Sequence, residues 1–242
     1  MPSENPPPAV APSEPSVIPS EPSVILSEPS VILSEAKDLL LPDEAKNLLS
    51  PDEAKDLLHS LVEAYQRSGD VGKLLDELRA LARRTPPDQL TAVANEYKEM
   101  PEVVIPLYER IVAALPNDAQ ALVVLANSYW VTGRGHDVVG SMASRAKQLD
   151  PDNRGAWHLW ALAEADLRKR VERWQAVTKQ FPGDQLARAA LADNATSLAT
   201  DEDDPVALKL AIETYESLLA EGPPTAQRLA LEETLKALRR GN

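Results

Sequence analysis

The chain has 242 residues, 38 acidic against 25 basic side chains (net charge −13), 21 prolines, 9 glycines, 4% aromatic residues and no cysteine. The missing cysteines exclude a disulfide framework, a thiolate metal site and a cysteine nucleophile. The acidic balance disfavours a nucleic-acid partner, because tracking phosphates rests on clustered Lys and Arg.

Residues 1–50 read as a disordered Pro/Ser/Glu-rich tail. Eleven of the prolines precede residue 52, and the acidic and basic counts there are 8 and 2, a local charge of −6. Such a segment buries too little apolar surface to offset its ordering entropy. Ser-Glu-Pro-Ser-Val-Ile recurs from Ser13, Ser20 and Ser27 with a period of seven, then the unit changes to nine, with SEAKDLL from Ser34, DEAKNLL from Asp43 and DEAKDLL from Asp52. The seven-residue copies offer a multivalent linear motif or a tail with no selected contact, and composition favours the second. Residues 1–20 show no basic segment followed by an apolar stretch. The longest uncharged apolar run of the folded part, Ala121 to Ala126, is six residues, against the ~20 that span a bilayer. A cytoplasmic protein with no membrane partner is expected.

The folded region is expected over residues 51–242. In the third nine-residue copy Ser50 suits an N-cap, Pro51 the first helical position and Glu53 a capping box. From Asp52 onward apolar residues recur at three and four, not two, in segments punctuated by Pro, Gly-Asp and Asn-Asp, so helices are predicted and no strand. Pro86, Pro116, Pro151, Pro182 and Pro223, spaced 30, 35, 31 and 41 residues apart, are expected to close successive helix pairs.

Unit one offers Leu58, Leu61-Val62, Tyr65, Gly69-Asp70, Leu74, Leu78, Leu81 and Pro86. Unit three offers Leu122, Leu125-Ala126, Tyr129, Gly133, Val138, Met142, Ala146 and Pro151. Both resemble the tetratricopeptide repeat (TPR), W-x-x-L-G-x-x-Y, a turn glycine, A-x-x-x-F and a closing proline. Unit two keeps Leu90, Val93-Ala94 and Tyr97 with a shortened turn at Met100-Pro101-Glu102. Unit four has Glu164 where the tyrosine belongs and Arg170 where a small residue belongs. Unit five has a first helix of ambiguous register around Leu191 and Leu198 and an acidic insertion, Asp201 to Asp204. The resemblance covers about residues 52–222. It implies an all-α fold, a right-handed superhelical array of about five helical hairpins. Thr225 to Arg240, with Leu229, Leu231, Leu235 and Leu238, is expected as a solvating cap helix, and small residues such as Ala94, Ala126 and Ala161 as close-packing points of one continuous core.

The same resemblance implies a concave groove, lined by the first helix of each pair, that binds an extended peptide of a partner protein. Asn95 and Asn127 each follow the small residue of their helix and could grip successive peptide groups. Trp130, with Val123 and Val124, is expected to floor the groove, extended by His158 and Leu159. Trp157, Trp160 and Trp174 fall at expected core positions. Where chaperone-docking members of the family carry a Lys-Asn-Arg clamp for an acidic terminus, this chain has His59, Glu63, Ala92 or Gln120, and Val124, so carboxylate capture is not expected. The cluster Arg168-Lys169-Arg170-Arg173 is read as a solvated helix face.

His59, His136 and His158 stand 77 and 22 residues apart, in no spacing that aims two ligands from one helix at a metal. The G-x-S-x-G elbow, the Walker loop and the G-x-G-x-x-G turn are absent. A non-enzymatic adaptor without cofactor or metal is expected. The alternative is a structural or self-assembly element using the convex face or the cap helix. The tail is a further candidate, as an occupant of the groove in cis, which predicts that deleting it raises partner affinity.

Overall fold

The computed structural model describes residues 48–240, which form eleven α-helices and no strand among the described residues. They are α1 (Pro51–Ser68), α2 (Val71–Arg84), α3 (Pro87–Ala94), α4 (Pro101–Ala114), α5 (Ala119–Val131), α6 (His136–Leu149), α7 (Arg154–Leu162), α8 (Leu167–Gln180), α9 (Gln185–Glu202), α10 (Pro205–Ala220) and α11 (Thr225–Arg240). The expectations placed on the tail before residue 48 lie outside the described residues.

The helix starts follow from side chains that satisfy the first free amides. Ser50 Oγ accepts from Glu53 N–H while the Glu53 carboxylate accepts from Ser50 N–H at 2.9 Å, the capping box that the sequence predicts for α1. Asp70, Asp118, Asn153, Asp166, Asp184 and Asp204 each accept the amide three residues on and cap α2, α5, α7, α8, α9 and α10. At the other ends, Pro86, Pro116, Pro151 and Pro182 each stand two residues beyond a helix that closes a pair, after α2, α4, α6 and α8. A proline pushes the residue before it out of the helical region, so the ruler works as a stop signal. Gly69 (φ +68°) and Gly133 (φ +74°) turn the chain within units one and three, a backbone region that side chains with a Cβ rarely adopt. Unit two has no such glycine. Its first helix instead tightens into a 3₁₀ turn over Asn95–Tyr97, and the Met100 amide bonds Tyr97 O before α4 begins at Pro101.

First helices pack on first helices, α1 on α3 and α5 on α7, and the second helices α2 and α4 pack on each other, so each pair buries its apolar stripe against the next. The one continuous core expected from the sequence is corrected to two large groups and a small third one of Leu122, Ala146 and Ala156. Leu58, Leu78, Leu90, Leu107, Tyr108 and Ile111 anchor a group running from α1 to Leu159 and Ala163 at the α7 end. Trp174, Val177, Leu191, Ala195, Ala211 and Leu235 anchor a second, which begins at Ala161. Helix α7 is the shared wall: it presents Leu159 to one group and Ala161 to the other.

Two further expectations are revised. The acidic run Asp201 to Asp204 is not a loop between helices: α9 continues through Glu202, Asp203 (φ +52°) ends it in the left-handed conformation and Asp204 caps α10. In the cap helix Leu235 is buried and Leu231 and Leu238 pack partly against the second core, whereas Leu229 is 56% exposed.

Candidate binding face

A small or β-branched residue is buried at the same place in every first helix: Val62, Ala94, Ala126, Ala161 and Ala192. Counting from it fixes equivalent positions, including those of unit five, whose register is set by Leu191-Ala192 against the second core. The residues six and three before it, and one and four after it, share one face of the helix, opposite the buried stripe.

On this face Asn95 and Asn127 stand one residue after Ala94 and Ala126, and both are exposed. Neither side chain has a hydrogen-bond partner among the described residues, so each amide offers both a donor and an acceptor. Val123 lies half-buried on this face and packs partly onto the first core; Val124, expected beside it, is half-buried two residues before Ala126, off the face. Trp130, one turn beyond Asn127, is half-buried and meets the His136 ring edge-on at 5.3 Å. Val131 beside it is 60% exposed.

Two of the residues expected on the groove floor are employed elsewhere. Leu159 is 4% exposed and belongs to the first core, a correction with a simple cause: it stands two residues before the buried Ala161, a separation of about 200° around the helix at 3.6 residues per turn, so it faces unit three. His158 is half-buried, its Nε2 2.7 Å from Asp184 Oδ2 and its ring 5.3 Å from that of Trp174. Asp184 also caps α9 through the Ala187 amide at 3.1 Å. Burial raises the Asp184 pKa, but the Ala187 amide and His158 outweigh it and hold the carboxyl below its ordinary value of 3.8.

Trp174 is buried as the sequence predicts. Trp157 and Trp160 are only half-buried and stand perpendicular to one another, with Lys147 Nζ 4.2 Å and 3.5 Å above their rings. In the basic cluster of α8, Arg168 and Lys169 are exposed as expected of a solvated face, but two of the arginines are engaged. Arg168 binds Asp204 Oδ2 at 2.8 Å and Glu202 Oε2 at 2.5 Å, and Arg173 binds Glu164 at 2.5 Å and Trp160 O at 2.7 Å.

What the sequence reading missed is the change in character along the face. Six residues before the buried small residue stand Asp56, Asp88, Gln120, Gly155 and Leu186 in units one to five; one residue after it stand Glu63, Asn95, Asn127, Leu162 and Asp193. The signal was present once the repeats are aligned on the small residue instead of on the turn. No group of three or more metal-ligating side chains occurs among the described residues, and no helix there is long and apolar enough to cross a membrane.

Five consecutive helix pairs with a recurring buried small residue and proline-marked ends decide the architecture. The chain folds as a TPR-like array. No protein-family model matches the chain, and no curated protein matches it. Similar solved structures include a MamA protein (14% identity over 72% of this chain and 98% of that one, TM-score 0.49). Another is a thermophilic TPR protein of Thermus thermophilus (18%, 76% and 98%, TM-score 0.45). A third is pilF of Pseudomonas aeruginosa (17%, 78% and 86%, TM-score 0.48).

Proposed function

We propose that this TPR-like chain is a non-enzymatic adaptor that receives an extended segment of a partner protein on the outward face of its first helices. The observation that carries the reading is the repetition of an exposed, unpartnered amide at Asn95 and Asn127, beside the half-exposed Val123 and Trp130. An extended peptide presents an N–H and a C=O at each residue and needs donors and acceptors at intervals, with apolar ground between them. His158 and Leu159 are left out of the site, since one is bound to Asp184 and the other is buried.

The test is paired affinity capture from native lysate with the wild-type chain and the Asn127→Ala/Trp130→Ala variant, after circular dichroism establishes equal helicity. A protein held by the wild type and lost by the variant supports the reading. A protein held equally by both overturns it.

A second reading, self-assembly through the C-terminal end, draws on a different observation. A groove of about 700 Å³ lies between α9, α10 and α11, with Leu208 and Leu238 in its walls, and Leu229 is exposed on the cap. That reading expects a molar mass that rises with protein concentration in light scattering and falls back when Leu229 is changed to Glu.

A further inference from the structure

The binding face is acidic at one end and apolar at the other, and a partner that covers it must match both. In units one and two it carries Asp56, Glu63 and Asp88 against the single cation Lys98. Asp56 and Asp88 have no ion-pair partner among the described residues, and Glu63 reaches only His59 at 3.2 Å. From unit three onward the same four positions carry no Lys or Arg and one carboxylate: Val123, Trp130, Leu162, Ala165, Leu186 and Ala189 are apolar, among the uncharged Gln120, Asn127, Gly155, His158 and Thr196. Leu186 is 68% exposed. Asp193 interrupts this apolar end, but its carboxylate is engaged by the Tyr215 hydroxyl at 2.5 Å.

We infer that the face selects a partner segment with Lys or Arg at one end and bulky apolar side chains at the other, laid so that the basic end meets α1 and α3 and the apolar end meets α5, α7 and α9. The inference rests on the groove reading above and adds the chemistry and the direction of the occupant. Charge complementarity carries it. Of the net charge of −13, residues 1–51 hold −6 (8 acidic, 2 basic), which leaves −7 on residues 52–242, so the array itself repels an acidic segment. This speaks against the tail as an occupant in cis and gives it another role. Its −6 belongs to the overall negative charge that attracts a basic partner over long range.

The experiment pans the full chain against a display library of random dodecapeptides at about 50 mM and about 300 mM NaCl, a span over which the screening length shrinks by more than half. Two variants run in parallel, Asp56→Asn/Glu63→Gln/Asp88→Asn and Asn127→Ala/Trp130→Ala. The expected winners carry basic residues on one side and apolar residues on the other, always in the same order. They should bind the charge variant about tenfold more weakly, and removal of residues 1–47 should weaken them further. Enriched peptides that are apolar throughout and indifferent to the charge variant would overturn this inference while leaving the groove reading standing. So would acidic winners, or tighter binding on removal of the tail. If no enriched peptide loses affinity with the Asn127→Ala/Trp130→Ala variant, the groove reading falls and this inference with it.

Discussion

Units one to three and units four and five build the same hairpin by different means. The first three fill their core with large aliphatic side chains, Leu58, Leu78, Leu81, Leu90, Leu107 and Ile111, all at most 1% exposed. The last two use a higher share of alanine, at Ala187, Ala192, Ala195, Ala207 and Ala211, beside Trp174, Tyr215 and the leucines Leu191, Leu198, Leu218 and Leu235. Alanine lets helices approach closely but removes less apolar area from water than leucine. The second half adds polar ties between elements: Arg168 to Glu202 and Asp204, Arg173 to Glu164, Arg188 to Glu221, Arg239 to Glu216, and Tyr215 to Asp193. The first half has fewer such ties, among them Lys55 to Glu96 at 2.5 Å and Tyr129 to Glu109 at 2.7 Å. Loss of the repeat pattern in units four and five is therefore a change of binding force, not of architecture.

If the two cores are separate, damage to one should be felt first in its own half. Leu107, on α4, is fully buried, and Leu107→Ala is expected to cost about 2–5 kcal/mol through lost burial and the cavity left behind. In a Trp130→Phe/Trp160→Phe background the halves report differently, because the remaining Trp157 and Trp174 pack in the second core while helicity is spread over all the described helices. In urea the variant should lose ellipticity before its tryptophan fluorescence changes, as expected of an array whose repeats are coupled only to their neighbours. Coincident transitions, equally shifted, would show that α7 joins both cores into one cooperative unit.

The same division governs how much could be read before the structure. Apolar spacing, caps and prolines marked most helix starts and stops of the first three units, because there each signal is local: Ser50 and Glu53 lie in one turn, and Gly69 needs no distant partner. In unit four Glu164 and Arg170 stood out as departures from the pattern. The reason for Glu164 is its partner Arg173, nine residues on across a turn, and spacing rules do not pair residues between helices. Exposure was legible where it depends on one helix, as for Asn127. It was misread at Leu159 and His158, whose environment is supplied by another unit. His158 meets Asp184, 26 residues away, and nothing in the intervening sequence announces the contact.

A smaller effect tests that contact and carries a pH signature. Asp184→Asn keeps an oxygen for the Ala187 amide but removes the charge facing His158 and Arg154, and about 1–2 kcal/mol should be lost at neutral pH. The sign follows from the lowered pKa of Asp184. A carboxyl held lower in the folded state than in the unfolded one stabilises fully above its ordinary value of 3.8 and loses that contribution as pH falls below it. The gap between wild type and Asp184→Asn in urea midpoint should close progressively as pH falls below about 4. A gap that stays open at low pH would mean that the loss is one of packing, not of charge.

The smallest effect belongs to Arg168, and it discriminates between two ways of holding a solenoid together. Its guanidinium spans two carboxylates on either side of the α9–α10 turn, Glu202 at the end of one helix and Asp204 at the cap of the next. All of this lies at the surface, with half of the Arg168 side chain exposed, and exposed pairs gain little because water and salt compete for each charge. The geometry adds one thing that an isolated pair lacks: a planar fork fixes the relative placement of its two partners as well as attracting them. Arg168→Lys keeps the charge and loses the fork, whereas Arg168→Met loses both. If the tie acts by attraction, the lysine variant should match wild type, and the methionine variant should be slightly less stable at low salt and indistinguishable at about 1 M, where the screening length is about 3 Å. If it acts by placement, both variants should show faster amide exchange from Asp201 to Leu208 with the urea midpoint unchanged. The second outcome is the expected one. Asp203 holds a positive φ between the two anchored carboxylates, a conformation that a non-glycine residue keeps only where its neighbours constrain it.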